Sequence, residues 1–167
     1  ELCNAYSLDS ISAGSAIAFA MECFENGLLT TEDTGGIELR FGNAEAMLKM
    51  VEMIALRQGL GNILAEGVAR AAQKIGKGAR KYAIHTKGLE AGMHEPRVKK
   101  ALGLGFMVNP HGADHCMNVH DQIYTTPQQL KNFNSLGIVN PPEMNEIGPR
   151  KVHLFKIVQA KQLLCDS

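Results

Sequence analysis

The sequence predicts an all-α, multihelical fold with long functional loops and at most a minor β element. Apolar residues make up 45% of the 167 residues, Trp is absent and aromatic residues contribute only 5%. The core must therefore be built mainly from aliphatic side chains. Several segments repeat apolar residues at helical spacing. Stretches rich in Gly, Pro and polar residues separate them, which is typical of helices joined by loops.

The first half of the chain has the clearest helical periodicity. Apolar residues fall mostly on one face of three segments, and capping or turn residues flank each of them. Asp9 or Ser10 caps the first segment, Gly27 ends it, and Asn43 caps the second. The predicted helices span residues 9 to about 25, 43 to about 58 and 63 to about 75.

The second half has weaker periodicity. A short extended piece is predicted over 82–86. Residues 97 to about 107 favour a helix broken by Gly103 and Gly105, and residues 127 to about 133 favour a short helix. Pro149 occupies the favoured first position of a last helix that runs to Leu164.

Charge is balanced overall but unevenly distributed. The net charge is zero, which gives no indication of nucleic-acid binding. Residues 1–66 hold ten acidic and three basic residues, a balance of −7, so the remainder carries +7, much of it between Lys74 and Lys100. Two solvated faces of opposite charge would explain this pattern. Alternatively, the basic stretch meets an anionic cofactor or an acidic electron-transfer partner.

The cysteines indicate a reducing environment. Cys3, Cys23, Cys116 and Cys165 are widely and irregularly spaced and form no C-x-x-C motif. This pattern fits neither a disulfide framework nor a self-contained zinc or iron–sulfur site. The sequence shows neither a signal peptide nor an apolar run long enough to span a membrane, so we expect a cytoplasmic location and no membrane partner.

The stretch from His111 to Asp121 concentrates groups that perform chemistry. It contains three of the six histidines, two aspartates and a cysteine. If it were helical, His111 and His115 would share a face and could bind zinc together with Cys116 or His120. Because Pro110 and Gly112 favour a turn, two other interpretations stay open. The polar groups could simply hydrogen-bond one another, or the loop could present a His and an Asp to a bound ligand.

Several segments taken in order resemble one family. These are Leu8-Asp9-Ser10-Ile11-Ser12, the stretch from Met21 to Gly36, Leu39-Arg40-Phe41-Gly42-Asn43, residues 63–68, Lys87-Gly88-Leu89-Glu90, His94-Glu95-Pro96-Arg97 and Gly112-Ala113-Asp114-His115. Together they resemble the helical part of the tungsten-containing aldehyde:ferredoxin oxidoreductases. The resemblance runs along essentially the whole chain.

The resemblance implies a fold, an activity and cofactors. Residues 1–167 would be the helical cofactor-binding region of the parent enzyme, either as one body or as two small helical subdomains meeting near 88–110. The parent would oxidise aldehydes to carboxylic acids and pass electrons through a [4Fe–4S] cluster to ferredoxin. Its metal would be tungsten or molybdenum, held by two pterin dithiolenes. An N-terminal β-rich domain, absent from this chain, would cover the cofactor.

The resemblance also implies roles for individual residues. Asn4, Leu8 and Asp9 correspond to one pterin-binding segment, with Asn4 in place of an Asp and Ser7 in place of a Gly. Asp166 would begin the second such segment. His115 would be the catalytic proton-transfer group and would not itself be a metal ligand. His111 stands where the family has a cofactor-binding Arg, and Met117 where it has another basic contact.

Two alternative functions stay open from the sequence. The chain could be a non-catalytic metal-binding helical module that uses the His111–His120 loop, or a divergent paralogue that serves only as a scaffold. If the resemblance is right, the ligand cysteines of the cluster lie before residue 1 and after residue 167. We therefore expect the isolated chain to bind no cofactor and to have no activity.

Overall fold

The computed structural model describes residues 1–116 and 118–165, except for the side chain of Cys165. The chain divides into two compact units, Glu1–Gly92 and Met93–Ser167. No helix in the described part of either unit is both long and apolar enough to cross a membrane. The structure confirms the predicted fold class, since helices dominate and the strands described form one two-stranded sheet.

Unit 1 is built from five α-helices, a 3₁₀ helix and a hairpin. The α-helices are α1 (Leu2–Ala5), α2 (Ser10–Glu25), α3 (Ala44–Ala55), α4 (Leu60–Leu64) and α5 (Val68–Ile75). The 3₁₀ helix Ala79–Tyr82 follows, and strands β1 (His85–Thr86) and β2 (Leu89–Glu90) complete the unit. A single apolar cluster packs the helices together, with Ile17, Leu39, Met50 and Leu64 almost completely buried.

Helices α2 and α3 begin where the capping pattern predicts. The Asp9 carboxylate accepts a hydrogen bond from the Ile11 amide at 2.8 Å, and the Asn43 side chain accepts one from the Ala46 amide at 3.1 Å. Both side chains satisfy amides that have no partner within the helix. Helix α3 ends at Ala55, three residues before the predicted end, because Arg57 adopts a left-handed conformation (φ 52°).

The prediction of one helix over residues 63–75 is wrong. The segment forms the end of α4 and a separate helix, α5, with a break at 65–67. Gly67 has φ 82°, a conformation that side-chain-bearing residues rarely adopt. The Glu90 carboxylate then accepts a hydrogen bond from the Val68 amide at 2.7 Å and thereby caps α5 from a distant part of the chain.

The predicted extended piece is a short antiparallel hairpin. His85 pairs with Glu90 and Thr86 with Leu89. Lys87 (φ 54°) and Gly88 (φ 93°) form the connecting turn, as expected for a two-residue hairpin loop with two positive φ angles. The strand is shorter than predicted, because Tyr82 belongs to the preceding 3₁₀ helix.

The described part of unit 2 contains two α-helices, α6 (Lys100–Val108) and α7 (Pro149–Cys165). Two 3₁₀ helices, Asp121–Tyr124 and Lys131–Leu136, lie between them. A second apolar cluster fills this unit, and Leu130, Leu154 and Val158 are among its almost completely buried members. Helix α7 confirms the prediction of a last helix that starts at Pro149.

Two predictions for unit 2 are wrong. Gly103 and Gly105 do not break α6. Their missing side chains make room for neighbours, since a Cβ on Gly105 would overlap the side chain of Asn118. The predicted helix over 127–133 is a turn followed by a 3₁₀ helix. There Gln129 Oε1 accepts hydrogen bonds from the Thr125 and Thr126 amides, both at 2.9 Å, and stabilises the turn instead.

Candidate functional site

The first candidate segment, Asn4–Asp9, runs from the end of α1 to the residue before α2 in unit 1. Leu8 packs against the apolar cluster of this unit, whereas Asn4 and Asp9 are exposed. Ser7 adopts φ 55°, a left-handed conformation in which Gly is usually found. Asp9 uses Oδ1 to cap α2, and its Oδ2 accepts a hydrogen bond from the Ser12 hydroxyl at 3.2 Å. The segment is thus anchored by one apolar side chain and presents polar acceptors to solvent.

The second candidate segment runs from His111 to Asp121, and its described residues before Asp121 form a loop whose turns are supported by side chains. Asn109 Oδ1 accepts a hydrogen bond from the His111 amide, and Asp114 Oδ1 accepts one from the Cys116 amide, both at 2.8 Å. This hydrogen-bond pattern is that of Asx turns. The helical interpretation of the His111–His115 spacing is therefore wrong, because the segment is not a helix.

The loop brings two of its histidines against a third from outside it. The ring centroid of His94 lies 4.7 Å from that of His115 and 4.7 Å from that of His120. The centroids of His115 and His120 are 6.2 Å apart. We call these three residues the histidine trio. His111 is exposed and is not part of it.

Hydrogen bonds fix two members of the trio. His120 Nε2 lies 2.8 Å from the His115 carbonyl oxygen, so this nitrogen must carry a hydrogen and donate it. His94 Nδ1 lies 3.4 Å from the ammonium group of Lys99. Burial lowers the pKa of His94, and electrostatic repulsion by the neighbouring His120, His115 and Lys99 side chains lowers it further. His94 is therefore neutral near pH 7.

The neighbours of the trio define what it can do chemically. His115 Nε2 lies 3.6 Å from Cys116 Sγ, and both residues reach solvent. Over residues 1–116 and 118–165, no group of three or more His, Cys, Asp or Glu side chains is arranged to hold a metal ion. The arrangement suits a group that accepts and releases a proton better than a zinc centre.

Asp121, the last residue of the predicted cluster, has a structural role. Its carboxylate is buried, forms an ion pair with Lys151, and accepts hydrogen bonds from the Ala101 and Leu102 amides at 3.0 and 3.3 Å. It therefore caps α6 and neutralises a buried ammonium group. It is not available to a ligand.

Asn118 and Gln162 form a buried polar contact beside the loop. Asn118 Nδ2 donates a hydrogen bond to the Asp114 carbonyl, and Gln162 Nε2 lies 3.4 Å from the Asn118 carbonyl. The side-chain oxygens of both residues are buried and have no hydrogen-bond partner within the described residues. Neither residue was predicted from the sequence, since an isolated amide carries no pattern.

Two further features of the chain can be placed. In the segment His94–Arg97, Glu95 pairs with Arg97 at 2.6 Å, and His94 also belongs to the trio. Cys23 is fully buried, and burial, aided by the charge of Glu22, raises its pKa to about 11, so it is a core thiol. Met117 and Asp166 lie outside the described residues.

Comparison with known proteins identifies relatives along the whole chain. It is 40% identical to a tungsten-containing aldehyde ferredoxin oxidoreductase of Pyrococcus horikoshii over 97% of this chain and 25% of that protein. It is 38% identical to the WOR-like subunit of an aliphatic sulfonate oxidoreductase of Pyrococcus furiosus, over 90% of this chain and 29% of that protein. The chain thus spans about a quarter of the length of these relatives.

A solved structure and a family model agree with these relatives. The active-site complex BamBC of benzoyl coenzyme A reductase, solved with 1,5-dienoyl-CoA, is similar with a TM-score of 0.53 and 30% identity, covering 76% of this chain and 20% of that one. The model of aldehyde ferredoxin oxidoreductase domains 2 and 3 matches residues 1–167. The chain therefore belongs to the aldehyde ferredoxin oxidoreductase family of oxidoreductases.

Proposed function

We propose that this chain is the helical cofactor-binding part of an enzyme that oxidises aldehydes to carboxylic acids. The observation that carries the proposal is the match of residues 1–167 to domains 2 and 3 of the family. Four relatives named as tungsten-containing aldehyde ferredoxin oxidoreductases, at 32–40% identity, support it. The proposed cofactor is tungsten or molybdenum held by two pterins, with a [4Fe–4S] cluster that passes electrons to ferredoxin.

The residues at the start of α2 suit a pterin ring. Such a ring carries N–H donors, and an ionised carboxylate has about four lone-pair sites. Asp9 Oδ2 has only the Ser12 hydroxyl as a donor among the described residues. The Asp9 carboxylate can therefore accept hydrogen bonds from the ring. The neutral amide oxygen of Asn4 can also accept one, and Leu8 anchors the segment. We propose the same role for Asp166, which begins the second segment, and a cofactor contact for His111.

The proposed role of His115 follows from the proton balance of the reaction. Conversion of an aldehyde and water to a carboxylate releases two electrons and three protons. The bound metal centre would supply the two-electron oxidation. A nearby base must remove protons as the electrons leave, and imidazole is the side chain best matched to neutral pH. His115 is a partly exposed imidazole in a loop that hydrogen bonds hold in place, which suits proton transfer.

The proposed docking of ferredoxin is supported by one exposed basic segment. Residues 74–87 contain no Asp or Glu and carry five exposed basic side chains, namely Lys74, Lys77, Arg80, Lys81 and Lys87. A basic surface attracts an acidic partner and speeds their encounter, most strongly at low salt.

We propose that the enzyme works in the cytoplasm, as the cysteine pattern predicts.

The proposed role of His115 can be tested in the full-length enzyme. His115→Ala should lower aldehyde-dependent viologen reduction by roughly a hundredfold or more, with unchanged tungsten content, because it removes a general base. His153→Ala is the matched control, since this histidine of unit 2 is exposed and its Nε2 lies 2.9 Å from the Leu136 carbonyl oxygen, away from the trio. Wild-type turnover in His115→Ala would contradict the assignment. A full-length wild-type protein without tungsten and without turnover would favour the scaffold alternative.

The proposed role of Asp9 has a control built into the same unit. Asp9 and Asn43 both cap helices, so replacing either with Ala should cost about 1 kcal/mol of helix stability. Only Asp9→Ala should also lower the pterin content of the purified enzyme. Equal pterin content in the two variants would return Asp9 to a purely capping role.

A further inference from the structure

We propose that His94 is a positioning residue that holds the imidazole of His115 in its working orientation. This inference rests on the proposed function only for the role of His115, and not for the contact itself. His94 lies in the segment before α6, 21 residues away from His115 in sequence. No sequence motif links the two, so the pairing arises from the tertiary structure of unit 2.

The geometry of the trio supports this role. The His94 ring is tilted by 39° to that of His115 and by 77° to that of His120, with both centroids 4.7 Å away. At this separation the rings are in van der Waals contact. The two loop histidines are farther from each other, at 6.2 Å. His94 therefore contacts both loop rings and limits the rotation of each.

The protonation state of His94 suits a supporting ring. The Lys99 ammonium group lies 3.4 Å from Nδ1, where it can donate only if that nitrogen keeps its lone pair. The hydrogen of the neutral ring then sits on Nε2. Burial, together with repulsion by the neighbouring basic side chains, lowers the pKa of His94 and favours its neutral form. A neutral neighbour does not repel His115 when that imidazole takes up a proton.

The hydrogen bonds within the loop restrain its backbone on either side of the His115 ring. His120 Nε2 donates to the His115 carbonyl and thereby fixes the backbone at that residue. The Asp114 carboxylate accepts a hydrogen bond from the Cys116 amide and fixes the following turn. Neither of these hydrogen bonds restrains the His115 side chain. Its Nε2 lies 3.6 Å from the exposed Cys116 Sγ, and His94 supplies the contact between rings.

The first test is a double-mutant cycle in the full-length enzyme. His94→Ala should lower the kcat for aldehyde oxidation by about tenfold or more, because loss of orientation at a reacting group has effects of this order. His94→Phe should restore most of the turnover, since it restores a ring. In a His115→Ala background, His94→Ala should have no further effect, because its action passes through His115. Additive losses, or no recovery with Phe, would overturn the proposal.

A second measurement does not depend on activity. Diethyl pyrocarbonate modifies accessible imidazoles, and peptide mass spectrometry gives the rate at His115. His94→Ala should raise this rate several-fold over the wild type, whereas His94→Phe and the control His153→Ala should leave it nearly unchanged. An unchanged rate in His94→Ala would overturn the proposal. If the wild-type enzyme oxidises no aldehyde, the proposed function fails, and this measurement alone decides the His94–His115 contact.

Discussion

The two units of the chain are stabilised in different ways. Unit 1 encloses one continuous apolar cluster, drawn mainly from α2 to α5, and its helix ends are capped by side chains such as Asp9, Asn43 and Glu90. Unit 2 has a smaller apolar cluster and places a charged pair, Asp121 and Lys151, in its interior. Amphipathic helices account for the first unit. The second depends on polar contacts between residues that are distant in sequence.

The difference has a functional consequence. A loop rich in His and Asp cannot contribute much apolar surface, so it has to be held by hydrogen bonds. In unit 2 the Asx turns at Asn109 and Asp114 and the donation from His120 supply them. The less regular unit therefore carries His115, the residue proposed for proton transfer, and functional residues are often found on loops held by a scaffold.

The largest expected effect comes from breaking the buried pair in unit 2. Asp121→Ala leaves the Lys151 ammonium buried without a counter-ion and deprives the Ala101 and Leu102 amides of their acceptor. We expect unit 2 to lose about 3–5 kcal/mol, the usual cost of removing one member of a buried pair. Hydrogen exchange followed by mass spectrometry should show faster exchange in α6 and α7, with little change in unit 1.

The double variant Asp121→Leu with Lys151→Met is the control. It removes both charges together and should recover part of the loss, because no uncompensated charge stays buried. Recovery should be incomplete, since the N-terminal amides of α6 still lack an acceptor. If Asp121→Ala alone left exchange in α6 and α7 at the wild-type rate, the contrast between the two units would be wrong.

The same contrast explains which features could be predicted from the sequence. Helices α2, α3 and α7 combine periodic apolar residues with a capping residue or Pro at the expected position, and such signals are local. The break before α5 could not be predicted, because it depends on Glu90, 22 residues after the amide that it caps. Gly103 and Gly105 were interpreted as helix breakers, although close neighbours explain them better.

The candidate site was predictable only in part. The concentration of His and Asp in 111–121 pointed to the loop, and the resemblance singled out His115. Periodicity was the wrong guide there, because turns and not a helix set the geometry. His94 and the structural role of Asp121 both depend on tertiary contacts, 21 and 30 residues apart in sequence, which a single sequence does not encode as a pattern.

A glycine series gives intermediate effects and compares the packing of the two units. A Cβ on Gly61 would overlap the backbone of Met53 in unit 1, and one on Gly105 would overlap the Asn118 side chain in unit 2. Overpacking usually lowers the free energy of unfolding by about 1–3 kcal/mol. We expect a loss of about 3 kcal/mol for Gly61→Ala and about 1 kcal/mol for Gly105→Ala, because a backbone can move away from the new methyl group less easily than a side chain can. Hydrogen exchange measures the loss of stability in each unit.

Gly14 provides the control for this series. It lies within α2, and a Cβ there would meet no atom within 4 Å. Gly14→Ala should therefore stabilise unit 1 by about 0.5–1 kcal/mol, because Ala loses less conformational entropy in a helix. A larger loss for Gly105→Ala than for Gly61→Ala would mean that the interior of unit 2 is the more rigidly packed.

The smallest expected effect is a pH-dependent one beside the histidine trio. Glu95 accepts hydrogen bonds from the side chain of Arg97 at 2.6 and 2.8 Å and from its amide at 2.8 Å. These hydrogen bonds lower the pKa of Glu95 to about 2, from an ordinary value of 4.5. Those from the Arg97 side chain have the largest effect, and the one from the Arg97 amide has the next largest. The contribution of Glu95 to stability is thus complete above about pH 4.5 and disappears as the pH falls towards 2. Glu95→Gln should lower the thermal midpoint slightly near neutral pH, and this difference from the wild type should shrink below about pH 4.5.

Glu143→Gln is the control, because Glu143 is exposed and forms no salt bridge within the described residues, so its difference from the wild type should not follow this pH dependence. A Glu95→Gln difference that stays constant down to about pH 3 would show that Arg97 does not hold this carboxylate in its ionised form.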